Sequence, residues 1–339
     1  MAFTLLHHIF CACIILSFGF GQAKFGFIKK LGFINRLPTI YVDPSGHGNF
    51  RTIQSAIDSI PSNNSEWICI YIKAAEYREQ VTIPQDKPFI YLKGEGKRKT
   101  SVVWDAHGSI TTSATFTSEA DNIVAKSITF RNSYNNPPTS NNQVTVAVAA
   151  WILGDKSAFY RCGFLGFQDT LWDHQGRHYF KLCTIEGSVD FIFGAGQSIY
   201  ERSSLSVISK SKNGGIGVIT AQGRATKDEP NGFIFKDCNV FGTVPTYLGR
   251  PWRDYARVVF YNSTFSDIVA PEGWDIWNSG GRENQIMFAE YGCKGSGSNN
   301  TGRVSWEMKL DQKTLSTLTS MNFIDSEGWM KAQPFNMLA

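Results

Sequence analysis

The opening stretch of this sequence carries no formal side-chain charge. From Met1 to Ala23 there is no Asp, Glu, Lys or Arg, and Phe10, Ile14, Ile15, Leu16 and Phe18 form an apolar run. Such a segment reads as an export signal (residues 1–23), with the small residues Gly21 and Ala23 in cleavage-site positions. It is too short to reside in a bilayer, and no later stretch is apolar enough to span one. Other absences narrow the chemistry. No C-x-x-C pair is present, which argues against a zinc knuckle or a thioredoxin-like site. No G-x-S-x-G occurs, which disfavours a Ser-dependent α/β-hydrolase. Gly94-Glu95-Gly96-Lys97 lacks the rest of a phosphate loop and reads as a turn. His174 and His178 are spaced i, i+4 but have neither a helix nor an intervening Glu, so a zinc site is not expected there. Basic residues do not cluster densely enough to argue for nucleic acid. The formal charge of +4 is a mild basic bias, in keeping with an acidic polymer as partner.

What remains is a soluble, exported chain with a short basic segment (24–37: Lys29, Lys30, Arg36) before one domain over 38–339. Of its seven Cys, Cys11 and Cys13 leave with the signal, and Cys69, Cys162, Cys183, Cys238 and Cys293 stay. Export permits disulfides, and an odd count leaves at least one thiol over. Asn63, Asn262 and Asn299 each begin an N-x-[ST] triplet, a candidate glycosylation site.

Helical periodicity is clear at one place. Ile53, Ala56, Ile57 and Ile60 recur at i, i+3, i+4 and i+7, closed by Pro61. Beyond it the chain is β-rich, with short strand-like runs such as Ile68 to Lys73 and Ile123 to Arg131 bounded by turn residues. A motif recurs six times: an aromatic, then Cys or Ser three residues later, usually followed two residues on by an apolar residue. The pairs are Phe130 and Ser133, Phe159 and Cys162, Phe180 and Cys183, Tyr200 and Ser203, Phe235 and Cys238, and Phe260 and Ser263; Asn135 breaks the pattern in the first copy. An irregular repeat with one short strand per copy fits an all-β solenoid whose coils stack while variable loops protrude. A sandwich would show evenly spaced hairpin turns, and a propeller a Trp-Asp signature. On stacked coils Cys162 and Cys183 are neighbours, and either a disulfide or two packed thiols would suit them.

The repeat also aligns two acids. Asp169 follows Cys162, and Asp190 follows Cys183, each by seven residues, so they hold equivalent places in successive coils. Coils spaced like hydrogen-bonded strands, about 4.8 Å apart, bring both carboxylates to one patch. So close a pair cannot ionise freely: one pKa rises and the other falls, leaving a proton donor beside an ionised nucleophile. The bland alternative is that each Asp satisfies turn amides. Against it, Asp190 sits among Val189, Phe191, Ile192 and Phe193, where an acid needs a partner or a function.

Gln168-Asp169-Thr170-Leu171, Asp190-Phe191-Ile192-Phe193-Gly194 and Leu248-Gly249-Arg250-Pro251-Trp252 resemble, in that order, three signature segments of the pectin methylesterases. Ala75-Glu76-Tyr77-Arg78-Glu79 is similar to the family's early Gly-x-Tyr-x-Glu segment, with Ala for Gly. The resemblance covers residues 38–335, is of the plant type, and implies a right-handed parallel β-helix with a short N-terminal capping helix. It further implies that Asp190 attacks the methyl-ester carbonyl of a galacturonate unit. Asp169 would protonate the departing methanol and later activate water, dividing one hard hydrolysis into two steps. Arg250 would pair with Asp190, Gln168 would donate to the oxyanion, and Trp252 would stack on a sugar ring with Trp172 as a second platform or an ordinary core aromatic.

The chain departs from the family twice. A further oxyanion Gln is expected eight residues before Gly154, where Val146 stands; Gln143, three residues upstream, reads as a solvated loop residue. Only residues 24–37 precede the domain, so the chain looks like the short form without an inhibitor-like pro-region. The resemblance implies methyl-esterified pectin as substrate, a proteinaceous inhibitor as partner, a monomer secreted to the cell wall, and no metal or organic cofactor. Two rivals stand beside this reading. A β-helix glycosidase would also use paired carboxylates, but an inverting one wants them about 6.5–9.5 Å apart, more than one coil spacing. A non-catalytic wall-binding protein is favoured by Val146 and disfavoured by the retention of Asp169, Asp190, Gln168 and Arg250 together.

Overall fold

The computed structural model describes residues 37–138, 142–209 and 215–335. The expected export signal and all but the last residue of the basic segment lie outside them. From Pro38 onward the chain is one compact unit. Its strands, two to six residues long, enter three parallel sheets of ten, eight and seven strands. In each sheet, neighbours in space are successive coils of the chain. Each coil from Ile68 to Pro251 gives one strand to each sheet, which makes a right-handed parallel β-helix as expected.

The helix Ile53–Asp58 stands near the start of the coils, with Ile53, Ala56 and Ile57 buried. Thr52 caps it by accepting from the Ser55 amide at 3.2 Å. The Glu79 carboxylate accepts from the amides of Ile53 (2.8 Å) and Gln54 (3.0 Å). The tail of the Ala75–Glu79 segment therefore serves the helix N-terminus, where an anion is favoured.

The aromatic and Cys/Ser repeat has a backbone cause. At the corner between the ten- and eight-stranded sheets, Ser127, Arg161, Leu182, Arg202, Asp237 and Asn262 all hold left-handed conformations, with φ between 50° and 60°. The residue after each is Ile128, Cys162, Cys183, Ser203, Cys238 or Ser263. There the small side chain joins one coil to the next. The Cys183 and Cys238 amides donate to Ser203 and Ser263 Oγ, both at 3.1 Å. The Cys183 and Cys238 thiols donate back to the carbonyls of Phe159 and Tyr200, both at 3.3 Å.

This decides one open reading and corrects another. Cys162 and Cys183 are free thiols, not a disulfide, because each sulfur is engaged with a backbone carbonyl (Cys162 with Tyr160 O at 3.5 Å). The first repeat copy is also out of register. Phe130 pairs with Phe164, so it fills the apolar third position of its coil, and the residues equivalent to Phe159 and Cys162 are Ala125 and Ile128. Inside the coils the repeat's aromatics form a ladder, Phe159, Phe180, Tyr200, Phe235 and Phe260, with centroids 4.5–5.0 Å apart.

After the last coil the chain turns back over the outer face of the ten-stranded sheet. The short helix Asn322–Asp325 lies against two of its strands, and Gln197 donates to the Phe323 carbonyl. Tyr160 donates to Gln333 Oε1 at 2.6 Å, Trp67 donates to the Ala332 carbonyl at 2.8 Å, and Phe335 packs on Tyr91. The seven-stranded sheet keeps its outer face for other uses.

Burial lifts the thiols of Cys162 and Cys238 to about 12, which suppresses the reactive thiolate. In the native protein, alkylation at pH 8 should leave both unlabelled. In denaturant without reductant, peptide mapping should find Cys162 and Cys183 fully labelled; labelling that appears only after reduction would restore the disulfide.

Candidate active site

On the outer face of the seven-stranded sheet one register line runs through Thr82, Thr117, Trp151, Trp172, Phe193, Ala221 and Arg250. Parallel pairing stacks their side chains. The rings of Trp151 and Trp172 lie 4.6 Å apart, those of Trp172 and Phe193 5.6 Å apart, and Trp252 meets Phe193 edge-on at 6.1 Å. Trp172 is therefore sandwiched, with 6% of its surface open, and offers a sugar no free face. That places it in the apolar floor with Ala114, Val148 and Phe193, the second of the two readings its sequence allowed. Trp252 is 37% exposed and does present a face. It lies over Gly223, where a Cβ would stand 3.0 Å from the indole.

Asp169 and Asp190 meet as the repeat requires. Gln168 bridges to Val189, and the Asp169 amide donates to the Val189 carbonyl at 3.1 Å, so the two acids are opposite residues of adjacent coils. Both are left-handed, at φ 59° and 48°. Such conformations in non-Gly residues persist only when the surroundings enforce them, and they concentrate at functional sites. At Asp190 a bulge does so. Val189 pairs with Val218 but Ile192 with Thr220, so one extra residue enters the strand between them. Phe191 and Ile192 turn into the core while Asp190 stays on the cleft side.

Arg250 is two strands further along. The one residue between it and Phe193 in register is Ala221, whose small side chain lets the guanidinium lie back toward Asp190. It forms a two-point fork, Nε to Oδ1 at 2.8 Å and Nη2 to Oδ2 at 2.5 Å. Behind it, Trp277 places its ring 3.9 Å from Arg250 Cζ. The sequence reading missed Trp277. Its only signal was a second Trp three residues after the buried Trp274, and nothing in that spacing points to Arg250. Trp252 and Trp277 face a cavity of about 380 Å³ also lined by Pro251, Arg253 and Asn278.

The two carboxyls differ in acidity. Burial, then the neighbouring Asp190 charge, raises Asp169 to about 7, with Arg250 opposing. Burial also raises Asp190 against the pull of the Arg250 fork, so neither carboxyl falls, contrary to what the like-charge argument expected of one of them: desolvation acts on both. Asp169 is thus the weaker acid of the pair, which gives a protonated group and an anion side by side. Gln168 is half-buried, and among the described residues no protein group takes its side-chain amide. Val146 packs on the apolar floor near Trp172 and supplies no donor, while Gln143 is exposed. His178, buried, bonds Asp173 at 2.5 Å and the Gly154 carbonyl at 2.9 Å. Among the described residues no cluster of three or more His, Cys, Asp or Glu could hold a metal ion.

The family model described as Pectinesterase matches residues 39–327. "Probable pectinesterase 29" of Arabidopsis thaliana is 56% identical over 299 residues, 87% of this chain and 89% of that protein. "Probable pectinesterase 55" of the same plant is 52% identical over 302 residues, covering 88% and 92%. Among solved structures, pectin methylesterase from carrot superposes with a TM-score of 0.82 at 30% identity, covering 88% of this chain and 97% of that one.

The raised Asp169 carboxyl carries a stability signature. Its folded-state pKa of about 7 exceeds the ordinary 3.8, so the folded state holds the proton more tightly and stability falls as pH rises between those values. Asp169→Asn removes that loss. The variant should be more stable than the parent at pH 8, by about 1–3 kcal/mol, and equal to it near pH 3.5. Urea unfolding at both pH values measures this, and an unchanged difference would show that Asp169 does not titrate as described.

Proposed function

The chain belongs to the pectinesterase family, and from that premise we propose that Asp190 and Asp169 are the nucleophile and the proton donor with which it removes methyl esters from pectin. The enzyme is a carboxylic-ester hydrolase acting on methyl-esterified galacturonan and releasing methanol. What carries the residue assignment is the pair itself: two opposed carboxyls of unequal acidity, one clamped by a guanidinium fork.

A carboxylate oxygen of Asp190 attacks the ester carbonyl carbon, and the negative charge passes to the carbonyl oxygen. The side-chain amide of Gln168 is the donor available for that oxyanion. As the tetrahedral intermediate collapses, the bond to the methoxy oxygen breaks and protonated Asp169 gives it a proton, so methanol leaves and an acyl-Asp190 anhydride remains. Asp169, now ionised, takes a proton from water as the water attacks that anhydride. Collapse releases the galacturonate carboxyl and returns Asp190 to the Arg250 fork. The fork holds Asp190 in place and favours its anion. Trp252 offers its open face to a sugar ring beside the reacting unit.

We also propose export through residues 1–23, a cell-wall site of action, a catalytic domain spanning 38–339, a monomeric state and recognition by a proteinaceous inhibitor. Asn63, Asn262 and Asn299 are proposed as glycosylation sites; all three are exposed. No helix among the described residues is long and apolar enough to cross a membrane. The wall-binding and glycosidase alternatives are not favoured: the relatives are named for esterase activity, and a pure binder gains nothing from a raised carboxyl beside an anchored one.

Purified protein should release methanol from highly methylated pectin without shortening the polymer, and Asp190→Ala should abolish that release. Because Asp169 must be protonated in the first step, kcat/KM should fall as pH rises through about 7. Shortened chains, or release that survives Asp190→Ala, would overturn the assignment. Val146 fills the place of a family oxyanion donor, and one such donor is worth about 10²–10³ in rate. Val146→Gln should therefore raise kcat by about tenfold or more with little change in KM; an unchanged kcat would mean that the Gln168 amide suffices.

A further inference from the structure

A second cavity lies away from the acids. It encloses about 570 Å³ and is lined by Gly96, Lys97, Arg98, Lys99, Ser127, Arg161 and Leu182. Its floor is the left-handed corner ladder, since Ser127, Arg161 and Leu182 are the corner residues of three successive coils. Its wall is the loop from Gly94 to Thr100, which reaches along the outside of the eight-stranded sheet. There Thr129 donates to the Lys97 carbonyl at 2.6 Å, and Lys97 Nζ donates to Thr184 Oγ1 at 2.7 Å. The loop is thus fixed, and it holds its cations over the corner.

The charge in this cavity is of one sign. Among the described residues none of Lys97, Arg98, Lys99 and Arg161 forms an ion pair with a carboxylate. Glu95, the acid of the same loop, is occupied elsewhere, accepting from Tyr71 Oη at 3.1 Å and the Ala74 amide at 3.0 Å. Lys93 and Lys126 stand on the adjoining strands, and burial first, then Lys93 and Arg161, depress the Lys126 ammonium. Like charges gathered at this density repel one another, and a bound polyanion relieves that repulsion. The lining contains no aromatic side chain on which a nucleic-acid base could stack. A polyanion without π-faces, bearing carboxylates along a saccharide chain, suits it better.

We propose that this corner groove is a second binding site for de-esterified galacturonan, the polyanionic product of the catalytic cleft. The choice of polymer rests on the esterase reading. The groove and the acids lie at opposite ends of the strands of the eight-stranded sheet, Arg161 preceding Gly163–Leu165 and Asp169 following it. No residue lining the groove is one of the cleft residues described above, so occupation of the two sites is separable. The consequence is retention: the enzyme stays on polymer it has already demethylated while the cleft remains free for esterified units.

The test uses the full mature chain and fully de-esterified oligogalacturonate as probe. In one variant Arg98→Gln, Lys99→Gln and Arg161→Gln are combined, leaving Lys97 and its bond to Thr184 intact. A control variant removes the same charge elsewhere through Lys227→Gln, Lys294→Gln and Lys313→Gln. The groove variant should bind the probe about tenfold more weakly and lose most of the salt dependence of binding. The control should bind like the parent, and methanol release from short esterified oligomers should be unchanged in both. Equal weakening of both variants would mean that net charge alone is responsible and would overturn the proposal, as would a parent protein that does not bind the probe. A parent that releases no methanol, while the groove variant still loses binding, would refute the esterase reading and leave the groove standing.

Discussion

Each coil of this molecule must bond its backbone to the coil before and the coil after, in register, along three faces at once. That requirement is met most strictly at one corner, where a single left-handed residue turns every coil from Ser127 to Asn262. An L residue there carries a conformational cost, and the cost is offset because the next side chain, a thiol or hydroxyl in five coils, closes the gap between layers with a hydrogen bond. With this corner fixed, differences in coil length are pushed into loops at the other corners. The bulge before Phe191 and the approach of Trp277 to Arg250 both lie away from that corner.

The pairing of Asp169 with Asp190 depends on the same register. Two acids on one coil would point apart, whereas two acids at one position of adjacent coils are forced together by the strand spacing. Their identities diverge only through surroundings: Asp169 has burial and a like charge, Asp190 has burial and a fork of donors. Arg250 can serve because Ala221, in the intervening strand, leaves room beneath it. The difference in acidity is thus produced by which side chain occupies the next rung, not by any property of the acids themselves.

Much of this was legible in the sequence because a solenoid writes its geometry as a repeat. The equal spacing of Asp169 and Asp190 from Cys162 and Cys183 places the two acids at one position of adjacent coils. The same repeat misled at Phe130, since an aromatic, a spacer and a Ser matched the pattern while the true corner lay at Ser127, with Ile128 in the Cys position. Backbone φ leaves no mark on residue type when Arg, Leu, Asp and Asn all adopt it. Trp172 was visible as an aromatic, but its sandwiching between Trp151 and Phe193 depends on strands that follow one another only in space. Trp277 was hidden for a related reason: it reaches Arg250 from a loop, and loops carry no period. The Glu79 carboxylate lay in a recognised motif, yet its role at the helix N-terminus required knowing where that helix would sit.

The return of the chain over the ten-stranded sheet has a bearing on how the molecule comes into being. Coils can stack one on another as they emerge, each resting on its predecessor, so order can grow from the N-terminal end. The outer face holding Tyr91, Tyr160, Tyr179 and Ile199 has no cover until residues 322–335 arrive, because the segment that packs against it follows every coil in the chain. Until then a nearly finished barrel of coils shows an apolar flank to its surroundings. Residues 322–335 thus act as a fastening, and a chain lacking them would keep Asp169 and Asp190 yet remain exposed to aggregation and proteolysis.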